Sequence, residues 1–224
     1  MTSKGKITMI VGPMFAEKSG ELITTCETLR EYAHKKVMVY KPSTDNRWSD
    51  TEIVSRIGTR LKAETLPANI TDDVIIKVLG DMISYDVVAF DEVHFYSEKI
   101  TKLIYELSMA GKDIYIAGLN LDYAANTFGE VGNLMALSDE IKIKRAYCTV
   151  CGAEAKFTQR IINGKPAEFG TQVVVGDKEN YEVRCKMHYV HPSKAKDYNT
   201  HLIDVVDEIF KKEKQNKEDE EKEV

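Results

Sequence analysis

Ile7-Thr8-Met9-Ile10-Val11, followed directly by Gly12-Pro13-Met14-Phe15-Ala16-Glu17-Lys18-Ser19, is the stretch that decides how this chain is read. An apolar run enters a loop opened by glycine and closed by Lys-Ser, and a helical pattern starts near Gly20. That order matches the phosphate-binding loop G-x-x-x-x-G-K-[ST], whose backbone N–H groups cradle phosphates while the lysine reaches the outer ones and the hydroxyl binds Mg²⁺. Glu17 stands where the second glycine belongs, so the reading rests on strand, loop, Lys18-Ser19 and helix following one another. A lysine at a helix start opposes the helix dipole and is a poor choice without an anion to hold. Residues 12 to 19 are therefore expected to bind the phosphates of ATP, with Ser19 on Mg²⁺.

Working outward, 224 residues allow one large domain, or one domain with a small appendage. Hydrophobic residues at 43% and charged residues at 30% are ordinary for a globular chain, and no apolar run approaches the roughly 18 residues of a membrane span. Met1 to Lys6 leads straight into the first strand without the apolar core of a signal peptide, so a cytoplasmic protein with no membrane partner is expected. A net charge of -5 argues against gripping a long nucleic-acid backbone.

Further apolar runs at Val37 to Tyr40, Val87 to Phe90 and Ile114 to Ala117 lack clean alternation, as strands buried on both faces do. Between the runs lie helical patterns through Leu22, Ile23, Cys26 and Leu29, through Val74, Ile75, Val78, Leu79 and Met82, and through Ile100, Leu103, Ile104 and Leu107. Strands alternating with helices predict an α/β fold, a P-loop parallel sheet flanked by helices. Ser97 is the expected N-cap of the third helix and Gly111 its stop. Asn46 to Pro67 has weak periodicity and reads as a long loop or short hairpin. After about Arg145 short β-rich segments with paired cysteines announce a second lobe, giving residues 1–144 as the nucleotide-binding domain, 145–192 as the small lobe and 193–224 as a C-terminal helix or charged tail.

Two further constellations carry chemistry. The third strand runs Val88-Ala89-Phe90 into Asp91-Glu92, placing two carboxylates at the sheet edge where α/β folds bind ligands. Asp91 suits the Mg²⁺-holding acid, and Glu92 is free to take a proton from an attacking hydroxyl. Cys148-x-x-Cys151 and Cys185-x-x-His188 supply a tetrahedral Zn²⁺ set for a structural zinc ribbon, with His191 at a less typical spacing as the other choice of fourth ligand. Cys26 belongs to the core, and His34 and His201 to the surface.

Together these motifs resemble the tetrameric, zinc-containing thymidine kinases of bacteria and animal cytosol. The resemblance runs from about Lys6 to Val190. It is carried by Gly12-Pro13-Met14-Phe15 with Lys18-Ser19; Lys41, Pro42, Asp45 and Arg47; Asp91-Glu92 with Phe95; Ala117-Gly118-Leu119 with Phe128-Gly129; and the cysteine pairs. It implies transfer of the γ-phosphoryl group of ATP to the 5'-hydroxyl of thymidine or deoxyuridine, with Mg²⁺, in nucleotide salvage. Glu92 would be the general base and Asp45 and Arg47 would lie near the phosphates. Phe95 and Phe128 would pack on the thymine ring, with Met14, Leu119, Thr158 and Tyr181 completing the pocket. A lasso loop held by the zinc lobe would offer backbone groups of Val173, Val174, Val175 and Gly176 to the base edge. A homotetramer inhibited by thymidine triphosphate is also implied. Glu17 for glycine, Arg56 for a frequent histidine and Asn120 for a frequent aspartate depart from the family pattern. The rival expectation keeps the fold, with Glu17 disabling phosphoryl transfer and leaving a nucleoside- or nucleotide-binding protein.

Overall fold

The computed structural model describes residues 4–45, 49, 51–172 and 180–195. Its centre is a six-stranded, wholly parallel sheet. In chain order the elements are β1 (Ile7–Gly12), α1 (Lys18–Glu31), β2 (Val37–Pro42), β3 (Glu52–Val54), β4 (Arg60–Lys62), β5 (Glu64–Leu66), α2 (Asp72–Asp81), β6 (Val87–Phe90), α3 (Lys99–Met109), β7 (Asp113–Leu119), α4 (Val131–Leu137), β8 (Glu140–Ile143), β9 (Ala146–Tyr147), β10 (Glu154–Ala155), β11 (Phe157–Ile162), β12 (Lys165–Pro166) and β13 (Tyr181–Arg184). The sheet order is β5-β2-β6-β7-β1-β8.

The missing alternation in the central strands has a direct cause. Met38, Tyr40, Val88, Phe90, Ile114 and Ile116 enter one core with α2, α3 and α4. Their neighbours Val37, Val39, Val87, Ala89 and Ala117 enter a second core with α1 and the β3-β4 hairpin. Each strand therefore buries both faces, and both must be apolar. The hairpin lies inside the 46-to-67 stretch expected as loop or hairpin, and β5, unforeseen in sequence, continues from it onto the sheet edge.

Helix ends follow local chemistry. Thr71 caps α2 by accepting the Val74 N–H, with Asp72 and Asp73 in the first turn. Gly111, at φ 85°, stops α3 as expected: Gly111 N–H reaches Ser108 and Lys112 N–H reaches Leu107, the paired bonds of a Schellman end. Ser97 does not cap α3. Its hydroxyl accepts the Ile70 N–H at 2.9 Å, and Glu98 holds the cap position instead. The backbone of a buried turn has the stronger claim on that oxygen, since an unpaired buried N–H is costly.

Beyond β8 the small lobe is built of two short sheets, β9 with β10 and β11 with β12 and β13. Of the third expected segment only residues up to 195 are described, so His201 and the charged tail lie outside the described residues. Among the described residues no helix is long and apolar enough to cross a membrane.

Candidate active site and metal cluster

β1, β2, β6 and β7 end on the same side of the sheet, and a cleft of about 360 Å³ opens above them. It is lined by Met14, Phe15, Ala16, Glu17, Lys18 and Ser19 from the loop after β1, by Asp45 after β2, and by Asp91, Glu92 and Phe95 after β6. Leu119, Phe128, Thr158 and Tyr181 complete the set. Gly12 and Pro13 stand behind the lining: a Cβ on Gly12 would meet the Lys144 carbonyl at 2.6 Å, and the Pro13 carbonyl accepts the Lys18 ammonium at 2.7 Å. Arg47 and Val173, Val174, Val175 and Gly176 lie outside the described residues.

At the floor, Ser19 Oγ donates to Asp91 Oδ1 at 3.1 Å, and Asp91 Oδ1 also accepts the Glu92 N–H at 2.9 Å. Burial, seconded by the charge of Glu92, pushes the Asp91 carboxyl up to about 7. A hydroxyl and a buried carboxylate meeting beside a lysine-bearing loop are the donor set expected for Mg²⁺ under bound phosphates. Lys41, 2% exposed, donates to the Ser49 and Glu52 carbonyls and lies 3.7 Å from Asp45, so a buried cation ties the segment after β2 to the cleft.

The loop keeps a left-handed turn at position 17 although glycine is absent: Glu17 sits at φ 53°, ψ 41°. Its carboxylate folds back over α1. A Cβ added to Gly20 would lie 3.0 Å from Glu17 Oε2 and 3.5 Å from Ser55 Cβ, so the room left by that bare helix position is where the acid goes. Arg56, from the β3-β4 turn, stacks its guanidinium 4.0 Å over Phe15.

On the far side Phe95 and Phe128 stand 5.9 Å apart, edge to face. His94, 3% exposed, packs against both, 4.2 Å from Phe95 and 4.6 Å from Phe128. Its Nδ1 accepts the Leu119 N–H at 3.1 Å, and its Nε2 lies 3.3 Å from Glu92 Oε2. Gly129 closes this corner; at φ 52°, with the His94 carbonyl 2.7 Å from any Cβ, a side chain has no place. The Met14 N–H donates to Thr158 Oγ1 at 3.1 Å, joining the phosphate loop to β11 of the small lobe. Arg160, also on β11, stacks 3.8 Å over Tyr123 and donates to the Thr171 and Gln172 carbonyls and the Tyr181 hydroxyl. Gln172 donates in turn to Asp122 at 2.9 Å. His94 and Arg160 were not picked out from sequence. The signal for His94 was its place two residues after Glu92; for Arg160 it was a lone charge in the strand Phe157–Ile162.

Away from the cleft, Cys148, Cys151, Cys185 and His188 bring their ligand atoms within 4.8 Å of one another. Thiolates at about 2.3 Å from a tetrahedral Zn²⁺ stand roughly 3.8 Å apart; Cys151 Sγ and Cys185 Sγ are separated by 3.8 Å, and His188 Nδ1 lies 3.7 Å from Cys148 and 3.2 Å from Cys185. The donor set fits zinc. His188 rather than His191 completes it, because His191 Nδ1 accepts the Ser193 N–H and its ring stands edge-on to Phe169. Burial raises the Cys148 thiol, but amide donors of Cys185, Cys151 and Val150 outweigh it and hold the group at about 6, close to a ready thiolate. Cys26 lies in the core beneath α1, where burial pushes its thiol up to about 12, and His34 is exposed.

A family model for thymidine kinase matches residues 5–189. A thymidine kinase of Thermococcus kodakarensis is 37% identical over 189 residues, covering 84% of this chain and 95% of that protein. The chain belongs to the thymidine kinase family.

Proposed function

We propose that this protein transfers the γ-phosphoryl group of ATP to the 5'-hydroxyl of thymidine, and of deoxyuridine, to form the monophosphate in nucleotide salvage. The observation that carries the proposal is the 3.1 Å meeting of Ser19 and Asp91 under the Lys18 loop, with Glu92 next along the chain toward the aromatic corner. Residues 12 to 19 hold the phosphates through the Lys18 ammonium and the backbone N–H groups after Pro13 and Met14, and Asp45 and Arg47 approach them from the segment after β2. Ser19 and Asp91 are the ligands for Mg²⁺, which when bound neutralises phosphate charge. Glu92 accepts the proton of the 5'-hydroxyl as that oxygen attacks. Phe95 and Phe128 pack on the base, with Met14, Leu119, Thr158 and Tyr181 around it. Stacking contributes roughly 1 to 3 kcal/mol and does not discriminate between bases. Base identity falls to the lasso loop, Val173 to Gly176.

In this reading residues 1–144 are the nucleotide-binding domain, 145–192 a lobe organised by structural zinc, and 193–224 a C-terminal helix or charged tail. The protein is a cytoplasmic homotetramer subject to feedback by thymidine triphosphate, and binds no nucleic acid or membrane. The test is transfer of labelled γ-phosphate from ATP to thymidine by the parent, Glu92→Ala and Glu17→Gly. Turnover by the parent, reduced by about 10² to 10⁴-fold in Glu92→Ala with thymidine still bound, supports it. A silent parent with an active Glu17→Gly supports a switched-off loop instead.

A further inference from the structure

We infer that His94 is the positioning residue for Glu92, linking the aromatic corner that takes the base to the carboxylate that takes the proton. The inference rests on the reading of Glu92 as general base. Its basis is the placement of one buried imidazole, whose Nδ1 is bonded to a backbone N–H and whose Nε2 stands within ion-pair distance of Glu92. The Leu119 N–H donates to Nδ1, so Nδ1 carries no proton, and the ring proton of the neutral side chain belongs on Nε2, which faces Glu92 Oε2 at 3.3 Å. The ring cannot swing away. It is 3% exposed, packed against both Phe95 and Phe128 at 4.2 and 4.6 Å, and a Cβ on Gly118 would lie 3.4 Å from its Nδ1.

Glu92 needs such a partner. It occupies a left-handed backbone conformation, φ 48°, ψ 41°, which an L-residue adopts only against a steric cost. That turn aims the side chain, and a donor toward one carboxylate oxygen orients it while leaving the other oxygen for the substrate proton. Any shift of the two phenyl rings as a base enters is passed through the imidazole to the carboxylate, so correct seating of the base and correct aim of the acid become one event. Small misplacements of a catalytic group cost on the order of 10²-fold in rate.

Two amide substitutions separate this role from simple packing. In His94→Asn the amide oxygen takes the Nδ1 position and keeps the Leu119 bond, but nothing reaches Glu92. In His94→Gln the amide extends to the Nε2 position. Steady-state kinetics with thymidine and thermal melts are measured for the parent, both variants, Glu92→Gln and the double variant His94→Asn/Glu92→Gln. His94→Asn is expected to lose about 10- to 100-fold in kcat with thymidine KM held within about threefold. His94→Gln should recover most of that rate, and His94→Asn should cause no further loss once Glu92 is Gln. An unchanged kcat in His94→Asn, a rate loss that tracks melting temperature across both variants, or an undiminished loss in the Glu92→Gln background overturns the inference. If Glu92→Gln is itself fully active, the reading of Glu92 fails and this inference with it.

Discussion

Glu17→Gly acts on the phosphate loop in two ways, and the structure sets the size of each. A carboxylate 4 Å from a phosphate charge would cost about 4 kcal/mol at an effective dielectric near 20, roughly a thousandfold in affinity. The observed side chain softens this, because its Oε2 is turned toward Gly20 and Ser55 at the cleft wall. With water sharing the space, a pair 4 Å apart costs about 1 kcal/mol at a dielectric near 80, so Glu17→Gly should tighten ATP about fivefold. The second effect is conformational. Glu17 holds φ 53°, where a side chain costs about 1 to 2 kcal/mol, and glycine returns most of that against its own entropy of about 0.5 to 1 kcal/mol. The melting temperature should rise by about 1 to 3 °C. Glu17→Gln isolates the charge, since it should tighten ATP while leaving the melt where it was. Calorimetric titration with ATP and Mg²⁺ and thermal melts of the three proteins read both effects. Equal ATP dissociation constants for parent and Glu17→Gly refute the charge argument, and a thousandfold gain means the acid faces the phosphates after all.

Gly20→Ala should weaken ATP binding in the parent but not in Glu17→Gly, because the new methyl meets Glu17 Oε2 at 3.0 Å and turns it back toward the cleft; equal effects in both backgrounds contradict this in a calorimetric cycle. Without a cation, stability should fall as pH rises from about 4 to 7: the folded chain holds the Asp91 proton up to about 7, the unfolded one releases it near 3.8, so ionisation favours unfolding across that window. Melts from pH 5 to 8 should lose this slope in Asp91→Asn and, for the parent, on adding Mg²⁺. Cys185→Ser should lower bound zinc from about one per chain, read by atomic absorption, and raise thymidine KM more than it lowers kcat. Arg160→Lys should do the same without loss of metal, because an ammonium cannot serve the Thr171 and Gln172 carbonyls together while stacked on Tyr123; unchanged KM would exclude the anchoring role.

The parallel sheet could be read from sequence wherever a strand buries both faces. Val87-Val88-Ala89-Phe90 is apolar throughout because Val87 and Ala89 look toward α1 and Val88 and Phe90 toward α2 and α3. β8 escaped for the opposite reason. Its Glu140-Ile141-Lys142-Ile143 alternates, and Ile141 and Ile143 remain 38% and 53% exposed at the sheet edge, so nothing in its composition separates it from a surface loop. β5, three residues long, has too few positions to show a period. The phosphate side of the cleft was visible because the loop from Gly12 to Ser19 and the pair Asp91-Glu92 each follow an apolar run directly. The base side was visible only through the resemblance, since Phe95, Phe128 and Thr158 come together from three separate segments. His94 looks like core in the run Val93-His94-Phe95, and what its two nitrogens face becomes apparent only once the fold sets Leu119 and Glu92 beside them.

The strained backbone follows the same boundary between chain preference and site geometry. Six non-glycine residues hold positive φ among the described residues, and three of them, Phe15, Glu17 and Glu92, line one cleft. Each costs about 1 to 3 kcal/mol, a sizeable share of a typical stability of 5 to 15 kcal/mol, and such strain persists only where the surroundings over-determine it. The surroundings here are named: Arg56 stacked on Phe15, the bare face of Gly20 beneath Glu17, and Asp91 and His94 around Glu92. Glycine at position 17 would relieve the loop but leave Gly20 facing only Ser55, whose Cβ lies 3.5 Å from where a methyl would stand. The acid at 17 and the bare position at 20 therefore depend on one another: the loop holds a charge in its left-handed turn because the helix leaves room for the carboxylate.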